Sequence, residues 1–333
     1  MKIRDRVSID FKDGVADVRL IRADKMNALD PAMFEGIIEA GQTLAAMAGL
    51  RAVVLSGEGK AFCAGLDMAS FAAMKQDGDA VPGVRDLTAR THGIANRPQQ
   101  CAWVWRTLPV PVIAAVHGVA LGGGFQIALG PDMRYATADT RFSVLEIKWG
   151  LVPDLAGTQL MRHLAREDIV RELTYTGRIF DGTEALQHGF VTRLVADPRA
   201  AALETAREIA GKSPDAIRAN KRLLNDAVAV DAATGLMAES VEQQRLIGSP
   251  NQIDAIMSTP QKRAANYTDC THRSAPLQWR NHDSMSATGV ARSPEEEADH
   301  EKPPMALRQA TRRQDRQGHV PVERSRDPRA ARW

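Results

Sequence analysis

The chain is poor in several features that would narrow its function at once. Its three cysteines, Cys63, Cys101 and Cys270, lie far apart and form no Cys-x-x-Cys pair. That spacing argues against a disulfide framework, gives no zinc-ligand set, and suits a reducing compartment. No stretch approaches the roughly 18 uninterrupted apolar residues that a membrane span needs. The opening MKIRDRVSIDFKDG carries charges where an export signal would need an apolar run, so a cytoplasmic location is expected. An excess of one charge sign is missing too. Residues 1–270 hold 31 Lys and Arg against 32 Asp and Glu, and residues 271–333 hold 12 against 9. A near-neutral body offers nothing to a polyanion, so neither nucleic acid nor membrane is an expected partner. No internal repeat, nucleotide-redox fingerprint or metal-ligand spacing is present, and no metal site is expected.

What remains is a soluble globular composition, 44% hydrophobic and 25% charged over 333 residues, enough for one large domain or two modest ones. VSIDF and VADVRLI flank an Asp13-Gly14 turn and predict a β-hairpin. Asp30-Pro31 predicts a helix start, a cap followed by proline at the first helical position. AVVLSG after Arg51 and VPVIAAV before His117 read as buried strands, with a helical stretch over 84–107 between them. FQIALG reads as a helix and MRYATADTRFSV as two short strands. Helical periodicity then dominates 155–260, broken by a strand at 191–195. The alternation predicts an α/β fold. From Thr271 onward arginine, proline and serine prevail without period. Such a tail cannot bury enough apolar surface to offset roughly 1–2 kcal/mol per residue of ordering, so disorder is expected there. It reads as a basic arm for RNA or membrane, or as an unselected appendage.

Two glycine turns carry the chemistry. Lys60-Ala-Phe-Cys-Ala-Gly65-Leu66-Asp67-Met68 follows one buried strand, and His117-Gly-Val-Ala-Leu-Gly122-Gly123-Gly124-Phe125-Gln126 follows the next. Each puts small residues at a strand end, where a ligand can approach the main chain. Either turn alone could be an ordinary tight turn.

Together they are specific. With Lys25-Met-Asn27-Ala28-Leu29, Leu145-Glu146, Gly150-Leu-Val-Pro153-Asp154, Thr176-Gly177 and the E-A-x-x-x-G-F-V run at Glu184–Val191, the chain resembles the crotonase (enoyl-CoA hydratase/isomerase) family over about residues 5–265. The resemblance implies a crotonase (ClpP/crotonase-like) ββα spiral over 1–195. It implies a helical trimerisation region over 196–268, and the tail at 269–333 stands apart. It implies a homotrimer or hexamer acting on an acyl-CoA thioester, with no cofactor except coenzyme A as part of the substrate.

It further implies an oxyanion hole made by the backbone N–H groups of Leu66 and Gly123. Fixed amides stabilise an enolate without reorganising, and one such donor is typically worth about 2.7–4 kcal/mol. Family members that hydrate enoyl-CoA carry glutamates at two positions, which here are Gln126 and Glu146. Gln126 can orient a water or thioester, but its amide cannot exchange a proton at neutral pH. Glu146 stands as an acid/base group, or else as a surface ion pair. Asp154, eight residues on, matches the Glu and Asp spacing with which the dienoyl-CoA isomerase branch shuttles a proton; alternatively it caps the helix LAGTQLMRHLA.

The CoA side is expected at Lys25, Ala28, Ala64, Gly65, Leu66, Asp67, Met68, Gly122 and Gly123, with Trp149 at the acyl pocket. Lys25 either meets a phosphate or is a solvated charge. Trp103 and Trp105 read as core, His117 as a support for its turn, and Cys63 as a thiol without a partner base. The leading expectation is double-bond isomerisation by Glu146 and Asp154. Hydration by Glu146 with a water on Gln126, and a binding-only or RNA-associated homologue, are the alternatives.

Overall fold

A computed structural model describes residues 1–70 and 86–269. The first strands, β1 (Lys2–Ile3), β2 (Val7–Lys12) and β3 (Val15–Leu20), form an antiparallel meander. Lys12 pairs with Val15 across a two-residue loop in which Asp13 (φ 51) and Gly14 (φ 79) are both left-handed. That is the hairpin expected of Asp-Gly.

From β3 onward the sheet is parallel. β4 (Ala52–Gly57), β5 (Val112–Val116), β7 (Met133–Ala136) and β9 (Arg193–Leu194) add in turn, giving the order β1-β2-β3-β4-β5-β7-β9. Every residue of β4 and β5 is buried, as strands covered on both faces must be. After β5 and β7 the chain steps into a second layer, where β6 (Val119–Leu121) pairs in parallel with β8 (Arg141–Ser143). The repeat is therefore strand, short second-layer strand, helix. Phe125, Phe142, Phe180 and Phe190, all buried, fill the space beneath that layer with edge-on and stacked contacts 5.4–5.9 Å between ring centres.

Helix α1 (Pro31–Ala46) starts where the sequence puts it. The Asp30 side chain accepts from Met33 N at 2.8 Å, and Met33, Phe34, Ile37, Ile38, Gly41 and Leu44 form its buried face. Helix α2 (Arg97–Thr107) is shorter than the stretch expected over 84–107. Asn96 and Gln99 form a reciprocal capping box and Pro98 follows, so the helix begins at Arg97. Residues 86–96 are turns, and 84–85 lie outside the described residues. Helix α3 (Gly123–Leu129) follows β6 directly.

The remaining helices are α4 (Gly157–Met161), α5 (Glu167–Thr176), α6 (Gly182–His188), α7 (Pro198–Ala210), α8 (Pro214–Asp226), α9 (Ala232–Leu246) and α10 (Pro250–Ser258). The boundary expected at 195/196 is not a break in packing. Ala202, Ala206 and Ala210 of α7 lie on Val15, Val54, Ile113 and Tyr135, closing the second face of the main sheet. The compact unit runs Met1–Arg273; the unit Ser274–Trp333, which holds nearly all of the expected tail, lies outside the described residues. Among the described residues no helix is long and apolar enough to cross a membrane.

Helix α8 is anchored by one buried cation. Lys221, 6% exposed, donates to Trp105 O (3.2 Å), Val110 O (2.8 Å) and Asp132 Oδ2 (2.8 Å), and burial pulls its pKa down. Removing the ammonium leaves two buried carbonyls unserved and takes the cation from the partly exposed Asp132 carboxylate, which keeps Val112 N. Lys221→Ala should therefore cost about 1–3 kcal/mol of unfolding free energy in urea. A loss below about 1 kcal/mol would show that this contact does not seat the helix.

Candidate active site

The two glycine turns lie against each other, backbone to backbone. Cys63 N donates to Val119 O and Leu121 N donates to Cys63 O, both at 3.1 Å, so the first turn is stitched to β6. The segment before α1 holds its other side: Ala64 N donates to Met26 O (2.9 Å), Leu29 N to Gly65 O (2.8 Å) and Asp67 N to Leu29 O (3.0 Å). A Cβ on Gly65 (φ 90) would sit 2.6 Å from Leu121 O and 3.8 Å from Gly123 N. One on Gly124 would sit 2.3 Å from Cys63 O. Glycine is required at both positions.

Within this lattice the amides of Leu66 and Gly123 have no acceptor among the described residues, while those of Ala64, Asp67 and Gly122 are paired. Both residues line a cavity of about 620 Å³. Lys25, Ala28, Ala64, Gly65, Asp67, Met68, Gly122, Glu146, Trp149 and Asp154 line the same cavity, so every expected site residue but one meets there. The rest of the wall is mostly apolar: Leu29, Leu145, Leu151 and Val152 belong to the matched motifs, while Phe34, Leu87 and Leu155 were singled out by none.

The exception is Gln126. Expected to face a water or the thioester, it is a fully buried residue of α3 and does not line the cavity. Its Oε1 accepts from Leu155 N (2.8 Å) and Gly157 N (2.9 Å), and its Nε2 donates to Glu146 Oε1 at 2.6 Å. The amide oxygen is thus committed to main chain.

Glu146 opens a single 3-10 turn (Glu146–Trp149) and is 8% exposed. It makes no surface ion pair: Oε1 meets Gln126, and Oε2 is buried without a hydrogen-bond partner. Burial pushes its pKa up, and the nearby Asp154 charge adds to the shift. Asp154 is likewise raised by burial, opposed only by its own backbone N–H. It does not cap α4. That helix begins at Gly157 behind Ala156, whose φ is 63, and Gln126 serves the first amide. Two free main-chain donors and two carboxyls of raised pKa therefore share one largely apolar cavity. Such a set can hold an oxyanion and move protons beside it.

The family model for enoyl-CoA hydratase/isomerase matches residues 10–269. The chain belongs to that family. Human mitochondrial Delta(3,5)-Delta(2,4)-dienoyl-CoA isomerase is 36% identical over 217 residues, 62% of this chain and 64% of the isomerase. The chain thus spans just under two thirds of that relative's length. Human mitochondrial methylglutaconyl-CoA hydratase is 28% identical over 261 residues, 76% of this chain and 74% of the hydratase. Among solved structures, an enoyl-CoA hydratase from Bacillus anthracis superposes with a TM-score of 0.71 at 28% identity, covering 79% of this chain and 98% of that one. The fold is the crotonase fold.

Several residues build this hydratase/isomerase site without lining it as chemical groups. Asn27 is fully buried at φ 55; its side chain accepts from Arg22 N (2.9 Å) and donates to Glu58 O (3.0 Å) and Ala61 O (2.9 Å). Arg22 pairs with Asp67 at 2.5 Å and with Asp30 at 3.6 Å, and Arg6 joins Asp30 at 2.8 Å. Asp67, expected at the ligand, spends its carboxylate on Arg22 and on Ala69 N, and these hold its pKa down. Sequence reasoning missed Arg22 and passed over Asn27's role; an asparagine three residues before a helix cap was the only signal. His117 Nε2 meets Gly59 O at 2.9 Å and props the turn, as expected. The Cys63 thiol is pushed up to about 12 by burial and donates to Asn27 O, so it is no nucleophile. Trp105 is core, Trp103 packs against the core, and Trp149 stands half-exposed at the cavity mouth.

The raised Glu146 pKa makes a stability prediction. A carboxyl raised in the folded state is harmless while protonated, and its ionisation destabilises the fold as pH climbs through the raised value. Glu146→Gln is neutral throughout. Its melting temperature should exceed that of the parent at pH 7 and merge with it below the ordinary glutamate range. Equal melting curves at both pH values would show that the carboxylate is not desolvated.

Proposed function

We propose that this enzyme moves double bonds in a dienoyl-CoA thioester, with Glu146 and Asp154 as the proton-transfer pair. The observation that carries this reading is the pair itself. Two carboxyls of raised pKa face one apolar cavity beside the free amides of Leu66 and Gly123, and the amide oxygen of Gln126 is taken up by the main chain of residues 155 and 157. The dienoyl-CoA isomerase relative at 36% identity supports it, although a hydratase stands among the relatives too.

The chemistry follows from where charge goes. The thioester oxygen rests on the Leu66 and Gly123 amides. An ionised carboxylate takes a proton from C2, and the C–H electron pair moves into the conjugated system, leaving negative charge on that oxygen. In a 3,5-diene the resulting enolate extends to C6. The second carboxyl returns a proton there, the 2,4-diene forms, and one proton leaves for each that arrives. No water is consumed. Glu146 receives an N–H from Gln126, which favours its ionised form, whereas Asp154 has no side-chain donor; Glu146 is the base and Asp154 the acid. Lys25 at the cavity rim takes a CoA phosphate, while Ala64, Gly65 and Met68 flank the pantetheine.

Glu146→Gln and Asp154→Asn should each lower kcat on a 3,5-dienoyl-CoA by about 10²–10⁴-fold. In deuterated water the parent should place deuterium in the acyl chain without adding oxygen. Fast hydration of crotonyl-CoA, with no diene shift, would instead favour a hydratase. If Glu146→Ala left turnover of every thioester unchanged, Glu146 would not be the base; a parent that turned over none would be a binder.

The same reading includes self-association. Leu236, Met237, Ile253, Ile256 and Met257 on α9 and α10 are exposed large apolar side chains. In the family this region mediates trimers, which can pair into hexamers, and these faces suit that use. Sedimentation with CoA present should give a trimer or hexamer; a monomer at micromolar concentration would exclude it.

A further inference from the structure

Gln126 joins two pieces of chain that have no other reason to move together. Its Nε2 reaches Glu146 in the turn after β8, and its Oε1 takes the Leu155 and Gly157 amides immediately after Asp154. The fit leaves no slack: a Cβ on Gly157 would lie 2.5 Å from Gln126 Oε1. The group must also be an amide. It donates at one end and accepts twice at the other, which an ionised carboxylate cannot do and an aliphatic side chain does at neither end.

We propose that Gln126 is a positioning residue for proton transfer, an internal strut that fixes Glu146 and the Asp154 segment at one separation and leaves Glu146 Oε2 as the only free oxygen. The inference rests on the acid–base reading of the previous subsection. It adds that the pair is pre-set before substrate binds, and that the strut decides which oxygen takes the proton. Oε1 is saturated by the amide N–H; Oε2 is buried with no partner of its own. The donor also favours charge on Glu146 over Asp154, and burial pushes both carboxyls up against it. Gln126 does this from behind the cavity wall, so it touches no substrate atom.

The test uses Gln126→Met, close in size but without the amide, and Gln126→Glu. Gln126→Met should lower kcat roughly 10–100-fold with KM within about twofold, since the oxyanion amides and the CoA side are untouched. The acidic limb of its pH profile should move to higher pH as Glu146 loses its donor. In a Glu146→Gln background the Met change should cost much less, because the proton-accepting carboxylate that it positions is already gone. Gln126→Glu should recover activity at low pH, where its protonated carboxyl can donate and accept as the amide does. That activity should fall as pH rises.

An effect of Gln126→Met that persists in full in the Glu146→Gln background, or that falls on KM and kcat alike, would reduce Gln126 to a core prop and overturn the proposal. Infrared titration of the Glu146 carboxyl in the ligand-free protein separates this idea from the isomerase reading. The midpoint should rise in Gln126→Met whichever thioester is turned over, and an unmoved midpoint overturns the strut. A parent enzyme that leaves dienoyl-CoA untouched sinks the isomerase reading and leaves that titration standing. Should the Met variant fail to fold, Gln126→Glu, which keeps the acceptor oxygen, carries the pH test alone.

Discussion

Two main-chain amides can serve one oxygen only if two stretches of backbone come within contact of each other, and that requirement shapes this protein. The stitch between Cys63 and β6 brings the turns together. Gly65 and Gly124 admit the approach because any Cβ would strike the carbonyl of Leu121 or Cys63. The parallel strands β4 and β5 deliver the two turns from neighbouring positions in the sheet. Helix α1 crosses over to place β3 beside β4, and α7 closes the far face. Without that frame the glycines would be a loss of rigidity with nothing gained.

Charge is handled in two ways. Away from the cavity, buried or half-buried ions are paired or given carbonyl acceptors: Lys221 meets Asp132, Arg222 meets Glu242, Asp17 meets Arg199, and Arg134 donates to Phe190 O and Pro131 O. In the cavity the rule is relaxed. Glu146 Oε2 is the one carboxylate oxygen among the described residues that is buried without a hydrogen-bond partner. An unserved buried acceptor destabilises the fold. In the proposed reaction it is the oxygen that takes the proton.

Much of this was legible in the residues, for physical reasons. Asp13-Gly14 and Asp30-Pro31 carry their conformations locally, so hairpin and helix start were readable. The glycine turns were readable because close backbone approach leaves glycine no substitute. What depends on long-range partners was not. Gln126 looked like a ligand-facing amide, since nothing in the chain around it announces that its partners are the amides of residues 155 and 157. Asp67 looked like a contact for the ligand, and its carboxylate answers to Arg22, 45 positions earlier. The start of α2 was misplaced because apolar spacing runs upstream of the true cap at Asn96.

The segment from Arg22 to Leu29 runs from the cavity wall to the first glycine turn. It presents Lys25 at the cavity, and four residues later Leu29 grips Gly65 O and receives Asp67 N on either side of Leu66. The cation proposed for a CoA phosphate and the amide proposed for the thioester oxygen are thus held by one short segment, which Asn27 ties to Glu58 O and Ala61 O. On the proposed reading, the contact for the nucleotide tail and the seat of the carbonyl share a single support.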